Sequence, residues 1–222
     1  MSHIAKPLNC LGSNEDRDSR HTLDELDQRN DAGNFAKCWR SMRGLSERIL
    51  KTNSLTLELE LWSREQGIGD GRVAARCNRS ASCPRLDLGS LDALMNHAGE
   101  EIAYRSVQLV TAAGTKLVDA DNWYFPDRLT SEMRRELETT DIPFGRVIAG
   151  LRPRRRTFLV KQCTPTELEA AHENREPHRR GPESTRLDYV FEHRALIRLD
   201  DGRPLAVVHE RFRAALVCEH LR

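Results

Sequence analysis

Two pairs of extended runs dominate the second half of the chain. Ile102 to Val110 and Lys116 to Trp123 flank Thr111-Ala112-Ala113-Gly114, a link whose glycine can take positive φ, and together they predict a hairpin. Tyr189 to Leu199 and Leu205 to Val217, turned by Asp200-Asp201-Gly202-Arg203, predict a second. Thr157 to Gln162 reads as a further strand. Three- and four-residue steps appear elsewhere. Phe35, Trp39, Met42, Leu45 and Ile49 mark one face of a short helix, and Leu129, Met133 and Leu137 mark another over Arg128 to Thr140. Asp141-Ile142-Pro143-Phe144-Gly145 is a tight turn, after which Arg146 to Leu151 opens a short helix. Leu55, Leu57, Leu59 and Leu61 alternate as in a strand, although Asn53 or Ser54 is also a fit helix cap.

Strands grouped in hairpins around one good helix, without βαβ alternation, predict an α+β fold with an antiparallel sheet and helices at its face or edge. The remaining segments are less regular. Residues 1–34 are charged and without periodicity, so they read as a flexible leader to a single domain over 35–222. Residues 67–90, rich in Gly, Ser, Arg and Cys, read as an irregular loop, within which Arg72 to Arg76 is compatible with a short strand. The charged stretch at about 163–186 lacks large apolar residues and reads as an exposed insertion.

Composition narrows the function classes. Lys plus Arg (35) nearly balance Asp plus Glu (34), so the net charge of +1 supplies no global field for nucleic acid or an anionic membrane, and a small-molecule partner fits better. No run approaches the roughly 18 apolar residues of a membrane span, and the N-terminal residues match neither a signal nor a transit peptide, which points to the cytoplasm. The six cysteines form no CxxC pair and suit reduced thiols. The basic run Arg152-Pro153-Arg154-Arg155-Arg156 lacks interleaved aromatics and reads as a solvated turn rather than a nucleic-acid patch. Cys163, His172 and His178 match no zinc spacing, so no metal site is assigned. His193 shares a strand face with Phe191, Ala195 and Ile197 and reads as a hydrogen-bonded core histidine.

Two charges break the strand pattern. Ala103, Arg105, Val107 and Leu109 share one side of their strand, and Ala206, Val208, Glu210 and Phe212 share one side of the last strand. Arg105 and Glu210 therefore point where apolar side chains point. Desolvating a lone charge costs several kcal/mol unless it is paired. The two either line a polar cavity able to hold an anion, form a buried salt bridge with each other, or escape to solvent through a bulge.

Four pieces in order, Asn53-Ser54-Leu55-Thr56, Tyr104-Arg105-Ser106-Val107-Gln108-Leu109, Thr140-Asp141-Ile142-Pro143-Phe144-Gly145, and Gly202-Arg203-Pro204-Leu205 running to Glu210, resemble the chorismate lyase family. Asp119-Ala120-Asp121-Asn122-Trp123-Tyr124 followed by Pro126-Asp127-Arg128-Leu129 is similar to the family's passage from first hairpin to central helix. The likeness covers roughly residues 45 to 217, and it rests on order and spacing rather than on one diagnostic motif. It implies a six-stranded antiparallel sheet with helices covering one face and edges, and a helix after Ser54 in place of the strand that alternation suggests. By residue, it implies Arg105 and the backbone amides of Leu55 and Phe144 as substrate contacts and Glu210 as the catalytic group, with no metal and no organic cofactor. The family's catalytic Glu is usually flanked by Thr and an apolar residue or His, whereas here His209 and Arg211 flank it on the opposite strand face.

The residue types suit the implied reaction. Chorismate carries two carboxylates, and a guanidinium fork binds one bidentately at any working pH. Release of 4-hydroxybenzoate and pyruvate aromatises the ring, so the protein must add positioning and a proton-transfer group, the role open to a carboxyl with raised pKa such as Glu210. The resemblance thus implies a cofactor-independent carbon–oxygen lyase serving quinone or other phenolic biosynthesis. Its rivals are an effector-type domain of the same fold that binds without turnover, and a lyase for a related substrate such as isochorismate. Oligomeric state is not legible.

Overall fold

Among the described residues, six strands form one antiparallel sheet: β1 (Val73–Cys77), β2 (Ala103–Thr111), β3 (Lys116–Tyr124), β4 (Arg154–Gln162), β5 (Tyr189–Arg198) and β6 (Pro204–Arg213), in the order β1-β2-β3-β6-β5-β4. The computed structural model describes residues 36–84, 100–164, 166–167, 189–214 and 216. The leader at 1–34, His172, His178 and all of 163–186 except 163–164 and 166–167 lie outside them. Both predicted hairpins form. Gly114 (φ 87) and Gly202 (φ 85) take the left-handed conformation that their turns require. β1 occupies the edge predicted as compatible with a short strand, pairing Ala75 with Leu109 and Cys77 with Val107.

The helices cover one face of this sheet, giving the α+β class expected. Residues 36–49 form α1, which buries Met42, Leu45 and Ile49 at the spacing read from the sequence. α2 (Leu55–Glu65) replaces the strand that leucine alternation predicted. Ser54 is extended (φ −132, ψ 101) and its side chain accepts from the Leu57 amide at 3.3 Å, and Leu55, Leu59 and Trp62 form the buried stripe while Leu57 stays 50% exposed. Burying Leu59 and Trp62 contributes roughly 1.5–3 kcal/mol each, a gain that a strand exposing one of them would forgo.

α3 (Ser131–Thr139) starts later than the predicted Arg128, because the Thr130 side chain caps it through the Met133 amide and Pro126–Arg128 form a 3-10 turn. α4 (Phe144–Val147) begins two residues before the expected helix and leads into a 3-10 turn at Ala149–Leu151, closed by Arg152 at φ 51. β4 then starts at Arg154, three residues ahead of the predicted Thr157. The reading of 152–156 as a solvated turn is therefore corrected: only its first two residues turn, and Arg155 enters the sheet.

Two apolar clusters lie under the helices. One joins α1 and α2 to Leu109, Val118, Phe191 and Phe212; the other joins α3 and α4 to Tyr124, Ile197, Ala206 and Val208. The band between them holds the site. Among the described residues, no helix is long and apolar enough to cross a membrane.

Candidate ligand-binding site

Strand register brings the inward-facing polar residues into adjacent rows. Arg105 sits opposite Asn122, Ala120 opposite Glu210, Glu210 opposite His193, and Arg155 opposite Ile197. Val107, Ala120, Asn122, Val208 and Glu210 form the floor of a cavity, Ser54 to Thr56 and Pro143 to Gly145 form its roof, and Arg155 closes one side. The two roof segments touch: a Cβ on Gly145 would lie 3.5 Å from the Thr56 hydroxyl. In this closed form the cavity holds about 50 Å³, room for a few waters and below the roughly 300 Å³ at which small-molecule sites begin.

Arg105 is 7% exposed, as its strand parity predicted. It does not meet Glu210. Its Nη2 donates to the Thr140 and Ile142 carbonyls at 3.2 and 3.0 Å and to the Cys77 sulfur at 2.9 Å. Nε and Nη1 are buried with no hydrogen-bond partner among the described residues. A guanidinium half satisfied in this way carries an unpaid desolvation cost of several kcal/mol unless an anion or water reaches it. The Arg105 side chain is not part of the cavity lining; the connection is through neighbours, since the Asn122 amide on the floor donates to the Arg105 backbone carbonyl at 3.3 Å and Ile142, which accepts from Nη2, precedes Pro143 of the roof.

Glu210 is 4% exposed and its partner is Arg155, whose Nη2 donates to its carboxylate at 2.5 Å. Both side chains are almost fully out of water, 2% exposed for Arg155 and 6% for Glu210. Arg155 is held in turn by the Ile49 carbonyl at 3.2 Å and the Thr157 hydroxyl at 2.5 Å, and its backbone amide donates to Asn53. Burial pushes the Glu210 carboxyl above its ordinary pKa, and the charge and hydrogen bond of Arg155 offset part of that rise. Arg155 is the residue that sequence reasoning missed, and its parity with Thr157 on a strand extended backwards was the available signal.

Leu55 and Phe144 each begin a helix, so their N–H groups are among those that no helix bond can satisfy, and both residues line the cavity. The structure thus brings Leu55, Phe144 and Glu210 around one space, and Arg105 is not among the residues that line it. His193, fully buried, bonds through Nε2 to the Ser46 hydroxyl of α1 at 2.9 Å, as a core histidine should. Burial, with the Arg155 charge, lowers its pKa to about 3, so it stays neutral. Among the described residues no group of His, Cys, Asp and Glu is placed to hold a metal ion.

Protein y4mC of Sinorhizobium fredii, described as uncharacterized, is 30% identical over 178 residues, which are 77% of this chain and 73% of that protein. The chain belongs to the y4mC family. No family model matches it. Among solved structures, the ligand-binding domain of a putative GntR-family transcriptional regulator from Bordetella bronchiseptica is 18% identical, over 65% of this chain and 87% of that one, at a TM-score of 0.38. The effector-binding domain of the trehalose repressor TreR of B. subtilis is 16% identical, over 63% and 90%, at 0.33. The possible transcriptional regulator YydK of Bacillus subtilis is 13% identical at 0.38, and the chain, matched over 65% of its own length, spans 58% of YydK. Likenesses this distant carry no argument about what a y4mC-family chain binds.

Proposed function

We propose that this chain binds a small cyclic carboxylate in the cavity between sheet and helices, with Arg105 as its anchor. The observation that carries this reading is the buried Arg105 guanidinium with two nitrogens unpaired among the described residues. Either nitrogen can donate a charge-assisted hydrogen bond to a carboxylate oxygen, one on each side of the engaged Nη2. The first amides of α2 and α4 add fixed donors, and the Glu210–Arg155 pair supplies an acceptor and a second cation. Chorismate and 4-hydroxybenzoate are the ligands that the family resemblance suggests.

The finer reading is a lyase that releases 4-hydroxybenzoate and pyruvate from chorismate. In its support stand the resemblance and the upward direction of the Glu210 pKa, the direction that a proton-transfer carboxyl needs. A second reading, binding without turnover, is favoured by the ion pair itself, because Arg155 already occupies the carboxylate that would have to accept or give a proton.

One experiment tests both. The protein is titrated with 4-hydroxybenzoate by calorimetry and incubated with chorismate while both products are followed by chromatography, beside Arg105→Met and Glu210→Gln. Saturable binding weakened roughly 10- to 100-fold in Arg105→Met, the loss of one or two charged hydrogen bonds, supports the site. Equal yields of the two products, abolished in Glu210→Gln, would make it the lyase; binding with no turnover would make it a sensor. No binding of either compound overturns the proposal.

A further inference from the structure

On the sheet face turned away from the helices, a cleft of about 440 Å³ is lined by Arg76 of β1, Gln108 of β2, Asp119 of β3, Tyr189 of β5, and Arg211 and Arg213 of β6. Its size falls within the range of small-molecule sites, unlike the closed cavity on the other face. Its polar groups are locked together. Asp119 accepts from the Gln108 amide at 3.0 Å and the Tyr189 hydroxyl at 2.9 Å, and pairs with Arg213 at 2.5 Å. Arg211 donates to Asp121 at 2.7 Å, and both guanidinium groups lie near the Tyr189 ring, at 5.3 and 5.8 Å from its centroid.

Three donors on Asp119 leave it little capacity to neutralise anything further. Arg76 has no ion pair among the described residues, and each of Arg211 and Arg213 spends only Nη2, while their Nε atoms are buried without a partner among the described residues. Three guanidinium groups therefore line a ligand-sized space with one carboxylate, Asp119, already engaged, while Asp121, which takes Arg211, lies outside the lining. A single carboxylate fills one guanidinium fork. A phosphate monoester carries nearly two negative charges on three equivalent oxygens and can meet several forks at once.

We propose that this cleft is a second binding site, specific for a small phosphate monoester with a polar body. The phosphoryl oxygens accept from Arg76, Arg211 and Arg213, the Tyr189 ring holds the last two guanidinium groups in place, and the Ser106 and Gln108 side chains at the cleft border the ester's polar part. The site is independent of Arg105 and stands or falls apart from the ligand proposed for the opposite face.

The test titrates the whole chain with glycerol 3-phosphate at fixed ionic strength, beside succinate and a single-stranded oligonucleotide. Arg76 is exposed and unpaired among the described residues, so its variants should fold normally. Saturable one-to-one binding of glycerol 3-phosphate is expected, weakened roughly tenfold in Arg76→Gln by loss of one charged hydrogen bond and abolished in Arg76→Glu, with 4-hydroxybenzoate binding unchanged in both. The proposal is overturned by the absence of saturable binding at millimolar glycerol 3-phosphate, by Arg76 variants that bind as wild type, by succinate binding as tightly, or by binding confined to the oligonucleotide.

Discussion

Replacing Arg155 by Met removes one member of a buried ion pair while keeping most of the side-chain volume. Glu210 then stays behind the same strands and helices with no cation, and breaking such a pair typically costs about 3–5 kcal/mol. The pair is 2% and 6% exposed, so solvent screening does not discount that range. The cost should depend on pH. Burial already raises the Glu210 pKa in the wild type, and without Arg155 it rises further. A carboxyl whose folded pKa exceeds its unfolded value of about 4.3 contributes stability below that value and loses it as pH climbs through the folded pKa, by up to about 1.4 kcal/mol per unit. Urea unfolding of Arg155→Met should therefore show the full loss at pH 8 and a smaller one at pH 5, where the carboxyl protonates. In a chain of this size the pH 8 loss corresponds to roughly 6–20 °C in Tm. The double variant Arg155→Met/Glu210→Leu should recover all but about 1–2 kcal/mol, the residue being the Ile49 carbonyl and Thr157 hydroxyl left without their donor. Equal losses at both pH values, or a double variant no more stable than the single one, would refute this account.

Three further outcomes follow from the same geometry. Arg105→Met, which exchanges a half-satisfied buried cation for an apolar side chain but leaves the Thr140 and Ile142 carbonyls without their donor, should lower unfolding free energy by about 1–2 kcal/mol; a loss above about 3 kcal/mol would make Arg105 a structural strut instead of an anchor. The His193 pKa, lowered to about 3, means that the unfolded state binds the extra proton first, so stability should fall as pH drops from about 6.5 towards 3. His193→Gln should flatten that part of the urea profile, and an unchanged slope would assign it to other groups. Ser54→Ala removes the α2 cap and should cost about 1 kcal/mol, with faster amide exchange at Leu57 as the local signature.

How much of this was legible depended on which rule governed each segment. Strand pleat is rigid, with period two, so counting from Leu109 placed Arg105 on the buried face and counting from Phe212 placed Glu210 there, and both placements held. Their partners were not legible, because a partner depends on register between strands distant in sequence. Arg105 and Glu210 lie in different rows of the sheet with β3 between them, which excluded the direct salt bridge that parity alone allowed. Arg155 was hidden by its neighbours: with Arg154 and Arg156 exposed on the other face, composition showed a basic run where the pleat buries only the middle residue. The leucines of α2 misled in the opposite way. Leu55 and Leu59 satisfy both periods, and only the burial of Trp62 with exposure of Leu57 decides for the helix. The chorismate lyase resemblance had favoured that helix on order and spacing.

Under the proposed function, Arg105 also links ligand capture to closure of the site. Its one engaged nitrogen, Nη2, holds the carbonyls of Thr140 and Ile142, which lead directly into the Pro143–Gly145 roof, while its two unpaired nitrogens remain for a ligand. The closed cavity, about 50 Å³, is too small for a ring-bearing carboxylate, so the roof must lift before such a ligand enters. Opening that stretched the Nη2 bonds would leave the buried guanidinium still less satisfied, and an arriving carboxylate would offset that cost. Ligand binding and roof position then share one residue. The coupling should be readable without any knowledge of turnover: amides of 140–148 should exchange faster in Arg105→Met than in the wild type when no ligand is present, and added 4-hydroxybenzoate should protect them in the wild type alone. Equal exchange in both proteins would show that the roof is held by the Glu60–Arg146 pair and by packing of Phe144 and Val147, and that Arg105 takes no part in closing it.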